Sequence, residues 1–364
     1  MTEVLRYVPQ TGGMADHTRS ATTKSAAVKS VAVKSAAVKS VAEKSATDND
    51  YAQVLDDLSA ASVHRNFDPY IDIDWDAPEM AVTADDPRWI LSYDVDPIGR
   101  HSWYQSLPQD KQIAIGMWRQ ANVAKVGLQF ESILIRGLMQ YSFALRNGDK
   151  RFRYTTHESK EECNHTLMFQ ELVNRIGMDV PGAKVGYRRI SMFVPLAATL
   201  FPTIFFFGVL GGEEPIDHLQ KDFLRTSEQL HPAMAAVMQL HVAEEARHIS
   251  FAHHHLRETV PKKGPIQKFL LSLALPITMR VLLGAIMVPP RQFRREFDVP
   301  DSVMREIFWK SPESKRVRRN VFGDVRMLGH QCGLMNPVAR IVWHLLGISG
   351  RSSRFRSEPI YTAP

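Results

Sequence analysis

From Pro108 onward the hydrophobic and polar positions follow helical periods. The run QDKQIAIGMWRQANVAKVGLQFESILIRGLMQYSFALRNGD is apolar along one side and stops at Asn147-Gly148, a pair suited to ending a helix. The pattern predicts a second helix over 153–176, stopping at Gly177, and a third over about 187–212, interrupted at Pro195 and Pro202. A fourth begins near Pro215 and reaches Gln229. HPAMAAVMQLHVAEEARHISFAHHHLRETV is a fifth, with Pro232 placed for a first turn. IQKFLLSLALPITMRVLLGAIMV is a sixth, and shorter helices fill 301–347. The expected fold is all-α: a helical bundle of about 108–290 inside a domain of 51–300, with 301–364 as a basic helical extension packed on it.

The first hundred residues lack this period. KSAAVKSVAVKSAAVKSVAEKS repeats every five residues, and five residues advance a helix by about 140°, so its lysines spiral and no apolar face forms. Ala, Val, Ser and Lys have too little bulk to offset their ordering entropy, and residues 1–50 are expected to be disordered. Residues 51–107, with NFDPYIDIDWDAPEM and DDPRW, are expected to be an ordered, irregular lead-in whose prolines break any strand.

Charge divides the chain. Residues 1–50 carry 7 Lys/Arg and 5 Asp/Glu, residues 51–258 carry 20 and 27, and residues 259–364 carry 18 and 7. The isoelectric point of about 9.2 therefore belongs to the C-terminal third. An acidic middle is not a nucleic-acid surface, and no nucleic-acid partner is expected. Two cysteines make no disulfide framework, and the N-terminus has no secretory pattern, so the cytoplasm is the expected compartment. Residues 190–212 and 269–288 are apolar enough to span a bilayer. The prolines, the mean hydropathy of −0.21 and the needs of a bundle centre favour buried helices, with no membrane association.

The chemistry lies in a repeated motif. EECNH (161–165) and EEARH (244–248) each place a Glu three residues ahead of a His, on one helix face. Glu131 precedes Glu162 by 31 residues, and Glu214 precedes Glu245 by 31. That separation lets a helix run on, turn and return antiparallel to the same level. Two single-Glu helices and two Glu-x-x-His helices form the ligand set of ferritin-like di-metal bundles. Buried unpaired, four carboxylates would be prohibitive; two divalent cations neutralise them. Glu214 is preferred over Glu213 only through the matched spacing. His241, four before Glu245, shares a face with it to within about 40° and is open as a ligand, an orienting group or a core residue. Its counterpart in the first copy is Glu158. His253, His254 and His255 are read as helix surface and Cys163 as packing.

With His241 included, Glu131, Glu162-x-x-His165, Glu214 and His241-x-x-x-Glu245-x-x-His248 resemble the p-aminobenzoate N-oxygenase family of non-haem di-iron enzymes. The resemblance covers about 55–300. It implies that these seven residues ligate two iron ions, manganese being the alternative, with no catalytic residue beyond the metal site. It also implies O2-dependent oxidation of a small arylamine nitrogen through hydroxylamine and nitroso stages toward nitro, in a homodimer. Phe205, Phe206, Phe207 and Leu210 are candidates for the wall of an aromatic substrate pocket. No G-x-G-x-x-G fingerprint occurs, so an external electron donor or reductase is required. The competing readings are a di-iron acyl desaturase or hydroxylase, and a non-enzymatic iron-binding bundle.

Overall fold

Apolar residues at Tyr51, Leu55 and Leu58 fall four and three apart, and they bury one face of a helix, α1 (Asp48–His64). The sequence alone predicts disorder up to residue 50 and a mostly irregular lead-in after it, so this helix corrects both. The computed structural model describes residues 48–226 and 230–359. The lysine-repeat segment therefore lies outside the described residues up to position 47. Beyond α1 the lead-in is irregular, with short turns at Pro78–Met80 and Pro87–Trp89. Its Trp75, Trp89, Ile98 and Tyr104 share a core cluster with Trp118 and Phe293.

Four long helices follow: α2 (Gln109–Phe143), α3 (Lys150–Ile176), α4 (Pro202–Thr226) and α5 (Pro232–Thr259). Helix α2 packs along α3, α4 along α5, and α3 on α5. Local chemistry sets the ends. Asp149 accepts the Arg151 backbone N–H at the start of α3, and Gly177 ends that helix in the left-handed region at φ 73°. Pro232 sits in the first turn of α5, where a missing N–H costs nothing.

The expected break at Pro215 is absent. Pro215 lies inside α4, and the chain breaks earlier, at Phe201, where a series of short turns from Val185 to Leu200 ends. The apolar run 190–212 accordingly divides. Phe205, Phe206, Phe207, Val209 and Leu210 are core, whereas Ile190, Phe193, Leu200 and Phe201 are exposed. Full burial of each such side chain contributes about 1.5–3 kcal/mol.

Helix α6 (Pro265–Met287) is long and apolar enough to cross a membrane by length and composition, with 44% of its most apolar window buried. It packs on α4 and on α9 (Pro337–Leu345) after α7 (Pro312–Asn320) and α8 (Gly323–Gln331). All elements among the described residues are helical.

Candidate di-metal site

An antiparallel pair brings two residues level when the chain climbs as far as it returns, at about 1.5 Å per residue. Glu131 stands twelve residues before the end of α2 at Phe143, and Glu162 twelve after the start of α3 at Lys150. On the other pair, Glu213 stands thirteen before Thr226, and Glu245 thirteen after Pro232. The four carboxylates at one level are therefore Glu131, Glu162, Glu213 and Glu245. The matched 31-residue spacing pointed to Glu214, but the carboxylate that joins Glu162 is Glu213, 32 residues before Glu245, and one residue is about 100° of helix. Glu214 instead turns toward His253, whose Nε2 donates to Glu214 Oε1. Burial and the Asp324 carboxylate push its pKa up.

Three groups of ligand-type side chains have donor atoms mutually within 4.8 Å: Glu131, His165, His241 and Glu245; Glu162, His165, Glu245 and His248; and Glu158, Glu162 and Glu213. All are buried. Six of the seven sequence-predicted ligands thus converge, and Glu214 does not.

The arrangement fits cations and wastes its polar atoms without them. Glu131 Oε2, both oxygens of Glu213 and of Glu245, and His241 Nε2 have no hydrogen-bond partner, although such groups cost about 1–3 kcal/mol each when buried unpaired. Burial, then the charges of Glu162 and Glu245, push the Glu131 carboxyl well up. Burial pushes Glu162 up too, but His248 and His165 outweigh it and hold its pKa well below the usual range. Burial opposes an imidazolium at His165, yet Glu162 holds its pKa well up. A cation seated here takes the place of such protons.

The paired glutamates of EECNH and EEARH have a shared explanation. His165 donates from Nε2 to Glu244 Oε2 at 3.0 Å, and His248 from Nε2 to Glu161 Oε2 at 2.8 Å. Each motif's first glutamate thus orients the other motif's histidine. Arg247 lies 3.0 Å from Glu161 and 3.1 Å from Glu244, neutralising both. The Nδ1 atoms are left facing Glu162, at 2.9 Å for His165 and 2.8 Å for His248. This is the way a second carboxylate fixes the tautomer of a metal-bound imidazole.

His241 is held the same way. Its Nδ1 donates to Gln220 Oε1 at 2.8 Å, so Nε2 presents a lone pair 3.3 Å from Glu245 Oε1 and 3.6 Å from Glu131 Oε1. Burial and the His165 charge pull its pKa well down, which keeps the ring neutral.

Other side chains depart from the sequence reading. His253, His254 and His255 are buried, because α5 is central and lacks a solvent face there. Cys163 is exposed. Phe205, Phe206, Phe207 and Leu210 sit in the core, where the Phe206 ring packs against Tyr141, Phe251 and His255. The sequence gives no signal for Gln220 and Arg247, marks Glu158 only as the counterpart of His241, and leaves Glu213 as the alternative to Glu214. Glu213 could have been found by requiring equal arms about the turn, whereas Gln220 carries no local signal.

A helical bundle that buries Glu and Glu-x-x-His side chains around a common centre defines the ferritin-like di-metal carboxylate class. Within it, this chain belongs to the family described as p-aminobenzoate N-oxygenase AurF, whose model matches residues 48–333. It is 59% identical over 314 residues to Uncharacterized protein Rv0885 of Mycobacterium tuberculosis and to Uncharacterized protein Mb0909 of Mycobacterium bovis, a match covering 86% of this chain and 92% of each relative. Family and site together make it an oxidoreductase, a di-iron oxygenase acting on a small substrate, with its His/Glu clusters placed for two irons per chain.

Proposed function

We propose that the enzyme N-oxygenates an arylamine, taking the amine to hydroxylamine and onward to nitroso and nitro products. The ligands in this reading are Glu131, Glu162, His165, Glu213, His241, Glu245 and His248. The observation that carries it is His241, whose free nitrogen is aimed by Gln220 between Glu131 and Glu245. A third imidazole separates this ligand set from the plain Glu-x-x-His pairs of a desaturase or a storage bundle.

When bound, the two irons supply electrons to O2, and imidazole and carboxylate ligands suit them. The chain's residues do the rest. Glu244, Glu161 and Gln220 fix the three imidazoles. Phe169 of α3 is buried with its ring centroid 5.0 Å from that of His241, and it helps keep water out. Each oxygen insertion uses one O2 and two electrons, the second oxygen leaving as water, so an external donor must restore the ferrous state.

For the substrate, a cavity of about 910 Å³ is lined in part by Ala183, Lys184, Gly186, Arg188, Arg291 and Arg295. Ala183 of that lining and the neighbouring Tyr187 pack in one cluster with Phe130, the residue before Glu131. Its basic lining suits an arylamine bearing a carboxylate.

We further assign the catalytic domain to 51–300 and a bracing role to 301–364, in a cytoplasmic homodimer. The exposed row Ile266, Phe269, Leu270, Ile277 and Val281 on α6 is a surface a second copy would cover.

The test is to reduce the iron-loaded protein, admit O2 with p-aminobenzoate, and follow products by mass spectrometry. Addition of one and then two oxygens to the amine nitrogen is expected. Inertness toward arylamines together with oxidation of an acyl chain would refute the assignment.

A further inference from the structure

The seven ligands leave one buried carboxylate of the site without a role. Glu158 lies on α3 one turn before Glu162, the same offset that His241 has from Glu245 on α5. It is 0% exposed, and neither of its oxygens has a hydrogen-bond partner. Its carboxylate is grouped with those of Glu162 and Glu213, oxygens mutually within 4.8 Å. Glu213 is likewise buried, with both oxygens unpartnered. Two such side chains aimed at a third are suited to shared binding of a cation, because an unpaired buried carboxylate is costly.

We infer that Glu158 is an eighth ligand, binding the cation on the Glu213 side, and that the two metal positions are chemically unequal. This rests on the di-metal reading above and adds to it. One position is imidazole-rich: Glu131, His165, His241 and Glu245. The other is oxygen-rich: Glu158, Glu162 and Glu213, with His248 Nδ1 2.8 Å from Glu162. Where one helix supplies a histidine, its partner supplies a glutamate at the matching turn. Imidazole suits iron, whereas a carboxylate set suits harder cations such as Mn(II). The imidazole-rich position therefore fills first with Fe(II), and the oxygen-rich position is the weaker one for iron and the one that accepts Mn(II).

The experiment is an anaerobic Fe(II) titration of the full chain, followed by metal analysis and Mössbauer spectroscopy, on wild type, Glu158→Ala and Glu158→Gln. Wild type should bind two irons with separate quadrupole doublets. Each variant should keep one tight iron, lose at least tenfold in affinity for the second, and lose the doublet of the oxygen-rich position. In wild type holding one Fe(II), added Mn(II) should occupy the second position, and the variants should not retain it. Glu158→Gln keeps the side chain's shape and decides the matter if Glu158→Ala is unstable. Two irons bound at wild-type affinity with unchanged spectra in Glu158→Gln would overturn the inference and leave the di-iron reading standing. A wild type that binds no iron would overturn that reading, and this inference with it.

Discussion

Glu213 and Glu214 are adjacent and equally buried, yet they face different neighbours, and the difference can be measured. Glu213→Ala should lose at least one iron per chain, because it removes a carboxylate of the site. Glu214→Ala should keep both irons and instead lower the melting temperature, since it strips His253 of its buried acceptor, at about 1–3 kcal/mol. Metal analysis beside a thermal melt distinguishes them, and a reversed pattern would refute the equal-arms argument. A second residue-scale effect concerns His255. Burial, then the Arg151 charge, pulls its pKa down to about 3 from the ordinary 6.5, and the ring stays neutral against the Tyr51 hydroxyl. Between those two values only the unfolded chain binds the proton. Stability from this group is complete above pH 6.5 and is lost as pH falls toward 3, by about 1.4 kcal/mol per unit. Urea midpoints should drop from pH 7.5 to pH 5, and the drop should be shallower in His255→Gln; equal slopes would contradict this.

At the scale of the helices, the level of the site depends on how closely α4 approaches α2. A Cβ built on Gly212 would lie 1.9 Å from Phe130, so the helices meet at a position that tolerates no side chain. Phe130 and Gly212 each adjoin a site glutamate. Gly212→Ala should push α4 outward, destabilise the fold by about 1–3 kcal/mol and weaken iron binding, as read by denaturant unfolding and metal analysis. Helical periodicity made α2, α3 and α5 legible, because each buries a broad apolar face bounded by Asn, Gly or Pro, whereas α6 was legible as an unbroken apolar run and is only partly buried. Helix α1 was overlooked because three buried positions among aspartates make a faint stripe. Pro215 misled because proline reads as a break, while burial of α4 on both sides holds the helix together through it. The site residues carried by the repeated motif could be read from spacing. Gln220 could not, since its role exists only once α4 lies beside α5, and Glu213 needed helix ends that periodicity fixes only to within a few residues.

For the whole molecule, the family match begins at residue 48, and every side chain of the site lies beyond it. Removing residues 1–47 should leave iron content, melting temperature and turnover unchanged; loss of iron on truncation would show that the segment takes part in the fold. The basic C-terminal third is partly committed to internal contacts. Arg326 donates to the backbone oxygens of Arg319, Ile348 and Arg351, and Arg318 lies 5.1 Å from the Trp309 ring. The central claim is that a buried cluster of acids and imidazoles is made stable by a pair of iron ions. The most direct measurement is the iron content of the purified full chain, with Glu162→Ala beside it. Two irons per chain, both lost in the variant, are predicted. A well-folded wild type holding no metal, with the same stability before and after iron is supplied, would contradict the account.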